Sequence, residues 1–190
     1  SSDNLDFTDV KLGDSIASNG VCLTVTALNK HSFNADLSSE TLAHTLFGQY
    51  NTGKRINLEK ALLPTTRMGG HLVSGHVDGV TRVVKLEQSG RAWQIWLALP
   101  KPLAHYIAHK GSVTIDGISL TVNELTKDAF RLTIVPHTAA NTSIAQLKPG
   151  TAVHLEVDII ARYLERLLNK DNAASSGGVS MALLAQRGFL

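Results

Sequence analysis

The sequence predicts an all-β protein: a tandem pair of similar, small antiparallel barrels followed by a C-terminal amphipathic α-helix. Three observations carry this reading. The chain of 190 residues repeats itself at an interval of 97, so that "NGVCLTVTAL" from Asn19 returns as "DGISLTVNEL" from Asp116. Each copy is made of short runs rich in Val, Ile, Leu and Thr, separated by turn residues and without long intervening helices. After Asp158 the apolar period changes from that of a strand to that of a helix.

With that offset, Ser15–Glu59 lies on Ser112–Glu156 without a gap, and 15 of 45 positions are identical. Gly20/Gly117, Leu23/Leu120, Thr24/Thr121, Val25/Val122, Phe33/Phe130, Thr41/Thr138, Gly53/Gly150 and Glu59/Glu156 are among them. A period near 97 is a domain length, too long for a solenoid unit. We therefore divide the chain into a first barrel over 1–70, a second over 71–158, and a helix and tail over 159–190 that serve oligomerisation. The second copy begins near Ser74, whose counterpart would lie well upstream of Ser1. The first strands of the first barrel are thus expected to be missing.

The elements follow in order. "SIASNGVCLTVTAL" and "SVTIDGISLTVNEL" read as strands. "HSFNADLS" and "AFRLTIVP" come next, after the turn signals Asn29-Lys30 and Lys127-Asp128. Thr41–Gln49 and Thr138–Gln146 each have room for a helical turn or two. "RINLEKAL" and "AVHLEVDI" close the copies after the turns at Gly53 and Gly150. In the tail, Ile159, Ile160, Tyr163, Leu164, Leu167 and Leu168 share one helical face, and Asp158 stands at the N-cap position. A helix of about 12 residues is marginal alone. Its apolar face needs a barrel of its own chain or the same helix of another subunit. "NAASSGG" reads as a flexible break, and "VSMALLAQRGFL" as a second short helix or a disordered end.

Composition narrows the function classes. Hydrophobic residues are 43% and charged residues 18%, with a net charge of +2 and scattered basic residues, which argues against nucleic acid. No apolar run approaches the roughly 20 residues of a membrane span. The start "SSDNLDFTDV" does not read as a signal peptide. Cys22 is the single cysteine, so no intrachain disulfide forms, and a reducing, cytoplasmic setting is expected.

Several motifs fail on inspection. "GQYNTGKR" has Gly48, Gly53 and Lys54 at phosphate-loop spacing, but Arg55 stands where Ser or Thr should hold magnesium. "HLVSGH" resembles a nucleophile elbow around Ser74, but Leu72 replaces the first glycine. His71 and His76 are five apart and would face opposite ways on a regular strand. No metal site is expected.

What survives is a matched pair of strand faces. In "DGISLTV", Ile118, Leu120 and Val122 point one way and Ser119 and Thr121 the other; Cys22 and Thr24 hold the equivalent outer face of the first copy. Two related surfaces that differ at Cys22/Ser119 suit two similar ligands with different jobs.

Here the chain resembles a known family. "LGDSIASNGVCLTV", "GGHLVSGHVDG" and "KGSVTIDGISLTVNEL" are similar to riboflavin synthases, over essentially Leu12 to Leu168. The resemblance implies two six-stranded Greek-key barrels that each bind a lumazine, a C-terminal helix and a homotrimer. It implies a transferase of riboflavin biosynthesis that uses no cofactor or metal. Two molecules of 6,7-dimethyl-8-ribityllumazine, both held at one site, dismutate to riboflavin and 5-amino-6-(ribitylamino)uracil by transfer of four carbons. Each site is implied to form between the first barrel of one subunit and the second barrel of the next.

On that reading His76 is the leading general acid/base, because histidine titrates near neutrality; the alternative is a surface histidine. Ser119, with Asp116 and Thr121, would shape the second pocket and polarise the ring, although Asp116 also suits a plain turn position. Cys22 and Thr24 occupy the matching first pocket, Cys22 as a nucleophile or as a small packed thiol. Lys110 would stabilise negative charge. Gly75 to Val77, Val135, Pro136 and Thr138, with Asp36 and Thr41, would hold the ring and the ribityl hydroxyls. Asp158 either reaches the site or caps the helix, and His71 is a weaker site candidate, read first as structural. The chain departs from the family in lacking the opening Phe-Thr-Gly-Ile-Val strand and in carrying His137 where a glutamate is usual. The competing readings are a non-catalytic lumazine- or flavin-binding fluorescent relative and a plain trimeric assembly module.

Overall fold

The computed structural model describes residues 1–2, 4–174 and 186–187. The first repeat contributes β1 (Ser15–Ser18), β2 (Val21–Asn29), β3 (Ser32–Ala35), α1 (Ser39–His44) and β4 (Leu58–Lys60). The second contributes β5 (Gly79–Ser89), β6 (Ala92–Ala98), β7 (Ser112–Ile115), β8 (Ile118–Leu125), β9 (Ala129–Ile134), α2 (Pro136–Asn141) and β10 (Ala152–Val157). A short 3-10 turn follows each of α1 and α2.

β5–β10 close into a six-stranded antiparallel barrel in the order β10-β5-β6-β9-β8-β7. The first repeat forms a four-stranded antiparallel sheet, β3-β2-β1-β4. Its strands correspond one for one to β9, β8, β7 and β10, and the correspondence extends to register. Ala17 pairs with Cys22 as Thr114 pairs with Ser119, and Ser18 with Leu58 as Ile115 with Leu155. Even the irregularity recurs: the ladder slips between Val25 and Ala27 in one copy and between Val122 and Glu124 in the other. A one-residue slip would turn every side chain to the opposite face, so matched register means matched faces.

Alternation explains the cores. Along β2, Val21, Leu23 and Val25 are buried while Cys22 and Thr24 are exposed. The closed barrel is filled by Val83, Ile95, Leu97, Val113, Val122, Phe130, Leu132 and Leu155, all at most 2% exposed. The first sheet has a smaller core, in which Phe7 and Val10 of the N-terminal segment cover Ile16 and Val25.

The repeats meet at their turns. Asn19 and Asp116 have φ of 45°, and Gly20 and Gly117 follow at 79° and 84°. Positive φ at both central positions is the hairpin turn that favours Asn-Gly and Asp-Gly. The two turns pack back to back: a Cβ on Gly20 would lie 2.7 Å from Gly117 N, and one on Gly117 would lie 2.8 Å from Gly20 N. Around this contact runs a paired hydrogen-bond network. Asn57 N donates to Asn19 Oδ1 (2.7 Å) as His154 N donates to Asp116 Oδ1 (2.8 Å). Asn19 N reaches Asn57 O (2.8 Å) as Asp116 N reaches His154 O (3.1 Å). The side chains of Asn57 and His154 then cross to the opposite repeat. Asn57 Nδ2 donates to Asp116 O, and Asn57 Oδ1 accepts from Ser143 N. His154 bonds Asn19 O and Leu46 N in the same way. The arrangement has approximate two-fold symmetry about the glycine contact.

α3 (Ile159–Ala174) is amphipathic, and Ile160, Tyr163, Leu164, Leu167 and Leu168 are all exposed on it. The expected break at "NAASSGG" and second short helix fall largely outside the described residues.

Gly20→Ala adds a methyl against Gly117 and places a side chain where φ is strongly positive. We expect it to destabilise the protein by about 2–4 kcal/mol in urea unfolding, several times more than Gly53→Ala, where φ is also positive but nothing lies near.

Candidate functional site

One segment connects the two outer faces. The chain from Gly69 to Asp78 leaves the first repeat and lies first against β8, then against β2. At Gly70 a Cβ would fall within 2.3 Å of Ser119 Oγ; at Gly75 it would fall 2.8 Å from Cys22 Cβ. Cys22 N donates to Gly75 O (2.8 Å). Gly70 and Gly75 therefore touch the two positions, Ser119 and Cys22, that the repeat equates. Five residues of chain reach at most about 17 Å, so the two faces lie close together.

Glu156 fixes this segment. The residue is 4% exposed, and its carboxylate accepts Ser74 N (2.7 Å), Ser74 Oγ (2.6 Å) and Gly75 N (3.1 Å). Asp78 Oδ2 accepts Val157 N at the end of β10. Held at both points, the segment presents His76 exposed beside Gly75, with Val77 half-buried.

On the second face, His71 lies between two hydroxyls. Its Nδ1 is 2.7 Å from Ser119 Oγ, its Nε2 is 3.1 Å from Thr114 Oγ1, and its backbone N–H also donates to Ser119 Oγ (3.2 Å). Burial pushes the imidazole below its ordinary range, and the nearby carboxylates of Asp158 and Glu156 pull the other way. Thr121 is exposed two residues on. Lys110 precedes β7 with φ 65°, and Lys110 N donates to Val122 O. Its counterpart, Gly13, has φ 90° and makes the matching bond to Val25 O.

The remaining predicted residues are dispersed around these faces. Asp36 is exposed just beyond β3. Thr41, in α1, shares a hydroxyl contact with the capping residue Ser38 (2.9 Å). Val135 is exposed and Pro136 opens α2, which carries Thr138. Asp158 is half-buried just beyond β10.

Asp116 lies in the seam between repeats, with Oδ1 occupied by His154 N and only 6% of the residue exposed. Burial raises its carboxyl to about 6, against the lowering effects of that hydrogen bond and of Lys54. The sequence ranks His71 only as a weaker candidate and passes over Glu156. Glu59 and Glu156 are identical between the copies, but what singles out Glu156 is its contact with the connecting segment, which no local pattern shows.

The family described as "Lumazine binding domain" matches this chain twice, over residues 1–61 and 74–158. Two such domains, in register and joined by a segment that contacts both faces, define the class of protein. Riboflavin synthase of Photobacterium phosphoreum is 55% identical over 189 residues, covering 99% of this chain and 87% of that protein. That of Photobacterium leiognathi is 53% identical, covering 95% and 84%. That of Bacillus subtilis (strain 168) is 39% identical, covering 95% and 85%. The chain belongs to the riboflavin synthase family. Its fold is also that of LumP. A crystal structure of LumP with 6,7-dimethyl-8-(1'-D-ribityl) lumazine has a TM-score of 0.69, and one with riboflavin 0.72. Both are 22% identical and match 78% of this chain, against 79% and 80% of theirs.

Because its folded-state value is raised from 3.8 to about 6, Asp116 favours folding most below pH 3.8, and that contribution is lost as pH rises through 6. Asp116→Asn, which reproduces Asn19, is expected to stabilise the protein at pH 7.5 by about 1–3 kcal/mol. The gain should shrink toward zero near pH 4 in parallel thermal melts.

Proposed function

We infer that this protein is a riboflavin synthase, converting two molecules of 6,7-dimethyl-8-ribityllumazine into riboflavin and 5-amino-6-(ribitylamino)uracil. The duplication of one strand face, with Cys22/Thr24 and Ser119/Thr121 in identical register, carries this reading. A dismutation takes two copies of one molecule in opposite roles, and a folded duplicate supplies two related pockets. Identity of 39–55% to riboflavin synthases over most of the chain supports the enzyme over a non-catalytic carrier on the same fold.

The lumazine that will become riboflavin loses a proton from its C7 methyl group, and the ring delocalises the resulting carbanion. That carbon attacks a ring carbon of the second lumazine, and the C6 methyl carbon of the first makes the second C–C bond. The two ring C–N bonds of the second molecule break, so that its four carbons stay on the first and its ribitylaminouracil departs with the protons. The protein has three tasks: to align two rings, to move protons and to polarise the ring under attack. His76 is exposed beside the Gly75–Cys22 contact and is the group we assign to proton transfer. Ser119, backed by His71 and Thr114, polarises the ring in the second pocket, and the Lys110 ammonium stabilises negative charge there. Cys22 and Thr24 face the ring in the first pocket. The 36–41 and 135–138 segments, with Gly75 and Val77, hold the ring edges and ribityl chains. Asp116 acts through the turn it shapes and Glu156 through the segment it anchors. Asp158 belongs at the rim near His71.

The exposed stripe on α3 supports assembly as a homotrimer, with sites formed by the first repeat of one subunit and the second of the next. The unpaired Cys22 supports a cytoplasmic setting.

His76→Ala should lower kcat by about 100-fold and Ser119→Ala by about 10-fold, each with little change in melting temperature. Cys22→Ser should keep activity within about 10-fold; a loss beyond about 1,000-fold would make the thiol a nucleophile. Riboflavin absorbance measures all three. Leu164→Glu with Leu167→Glu should yield monomers by analytical ultracentrifugation and abolish turnover.

A further inference from the structure

At one position the repeats differ chemically but bond alike. Asn57 crosses the seam with a carboxamide: Nδ2 donates to Asp116 O at 2.8 Å and Oδ1 accepts Ser143 N at 2.7 Å. Ninety-seven residues later, His154 does the same with an imidazole. Nδ1 lies 2.8 Å from Asn19 O and Nε2 lies 2.8 Å from Leu46 N. A carbonyl accepts and an amide donates, so the ring carries its proton on Nδ1 and a lone pair on Nε2. The carboxamide offers this donor–acceptor pair at every pH. The imidazole offers it only while neutral. A second proton would set Nε2–H against the Leu46 N–H in a site where His154 is 1% exposed, leaving buried donors opposed.

The surroundings favour the neutral ring. Phe47 stacks on it at 6.1 Å with 11° between planes, and Tyr50 lies 6.3 Å away, both from the 3-10 turn after α1. From the β7–β8 turn, Asp116 Oδ1 is 3.6 Å from Nδ1 and is the group that would welcome an imidazolium. Lys54 opposes it, acting on Asp116 and lying 5.6 Å from the Tyr50 ring. Burial depresses the basicity of His154.

Both partners of the ring belong to the first repeat. Asn19 O is in the turn that enters β2, three residues before Cys22. Leu46 N is in the turn that follows α1 and Thr41. One side chain of the second repeat thus holds two walls of the first repeat's face.

We propose that His154 is a positioning residue, a neutral imidazole that holds the Cys22–Thr24 strand and the Thr41 segment in place for substrate, and that its protonation loosens this face. The functional half rests on the reading of that face as a lumazine pocket; the conformational half does not.

The test compares His154→Asn and His154→Ala, each in the parent and in Asp116→Asn, which removes the neighbouring titration. At pH 7.5, His154→Asn should keep lumazine turnover within about twofold of its background, while His154→Ala should raise KM several-fold more than it lowers kcat. The folded histidine binds its proton less readily than the unfolded one, so its contribution to folding is present above about pH 6.5 and lost as pH falls further. In melts from pH 7.5 to 4.5, His154→Asn should therefore gain on its background by several degrees as acid is added. The proposal is overturned if His154→Asn is as impaired as His154→Ala at pH 7.5, or if its melting temperature follows the same acid slope as its background. The melts need no turnover, so they decide the proposal even if the protein does not act on lumazine. If the alanine variant does not fold, the asparagine melts still decide it.

Discussion

Two hairpin turns that touch through bare backbone set the geometry of this molecule. Gly20 and Gly117 approach so closely that neither tolerates a Cβ, and the four-residue network of Asn19, Asn57, Asp116 and His154 holds that approach from both sides. From this contact the strands β2 and β8 run outward, carrying Cys22 and Ser119 two positions beyond their glycines. The placement of one face relative to the other is therefore fixed by polar groups that carry no reactivity themselves. A buried polar network specifies a unique arrangement only when every member is satisfied, and here each cross-seam side chain uses both a donor and an acceptor.

The duplication is not a perfect copy, and the differences fall where the halves are asked for different things. The Ser119 hydroxyl meets the His71 imidazole, whose other nitrogen meets Thr114 Oγ1, while the described contacts of Cys22 are with the backbone of Gly75 and with its ladder partner Ala17. Two molecules of one substrate must behave differently in a dismutation. Unequal surroundings for equivalent side chains are a physical route to that difference.

Much of this was legible in the sequence because the strand period and the 97-residue offset constrain each other. The outward Cys22/Thr24 and Ser119/Thr121 follow from pattern alone, as does a helical turn or two in each copy, although the helices at Ser39–His44 and Pro136–Asn141 begin two residues before the ranges the pattern marks. What pattern could not supply were contacts between residues far apart in the chain. Nothing local marks Glu156 as the anchor of Ser74 and Gly75, or places Asp116 against His154. The Asn57/His154 mismatch reads as divergence until the bonds reveal a carboxamide and an imidazole in the same role.

Lys110 carries a side chain on a turn that its twin makes without one. The backbone there bends in the left-handed sense, a conformation the other copy entrusts to Gly13. A lysine in it costs about 1 kcal/mol relative to glycine. The twin shows that the turn itself has no need of a side chain, so the lysine is a departure from the cheaper residue and not a demand of the backbone.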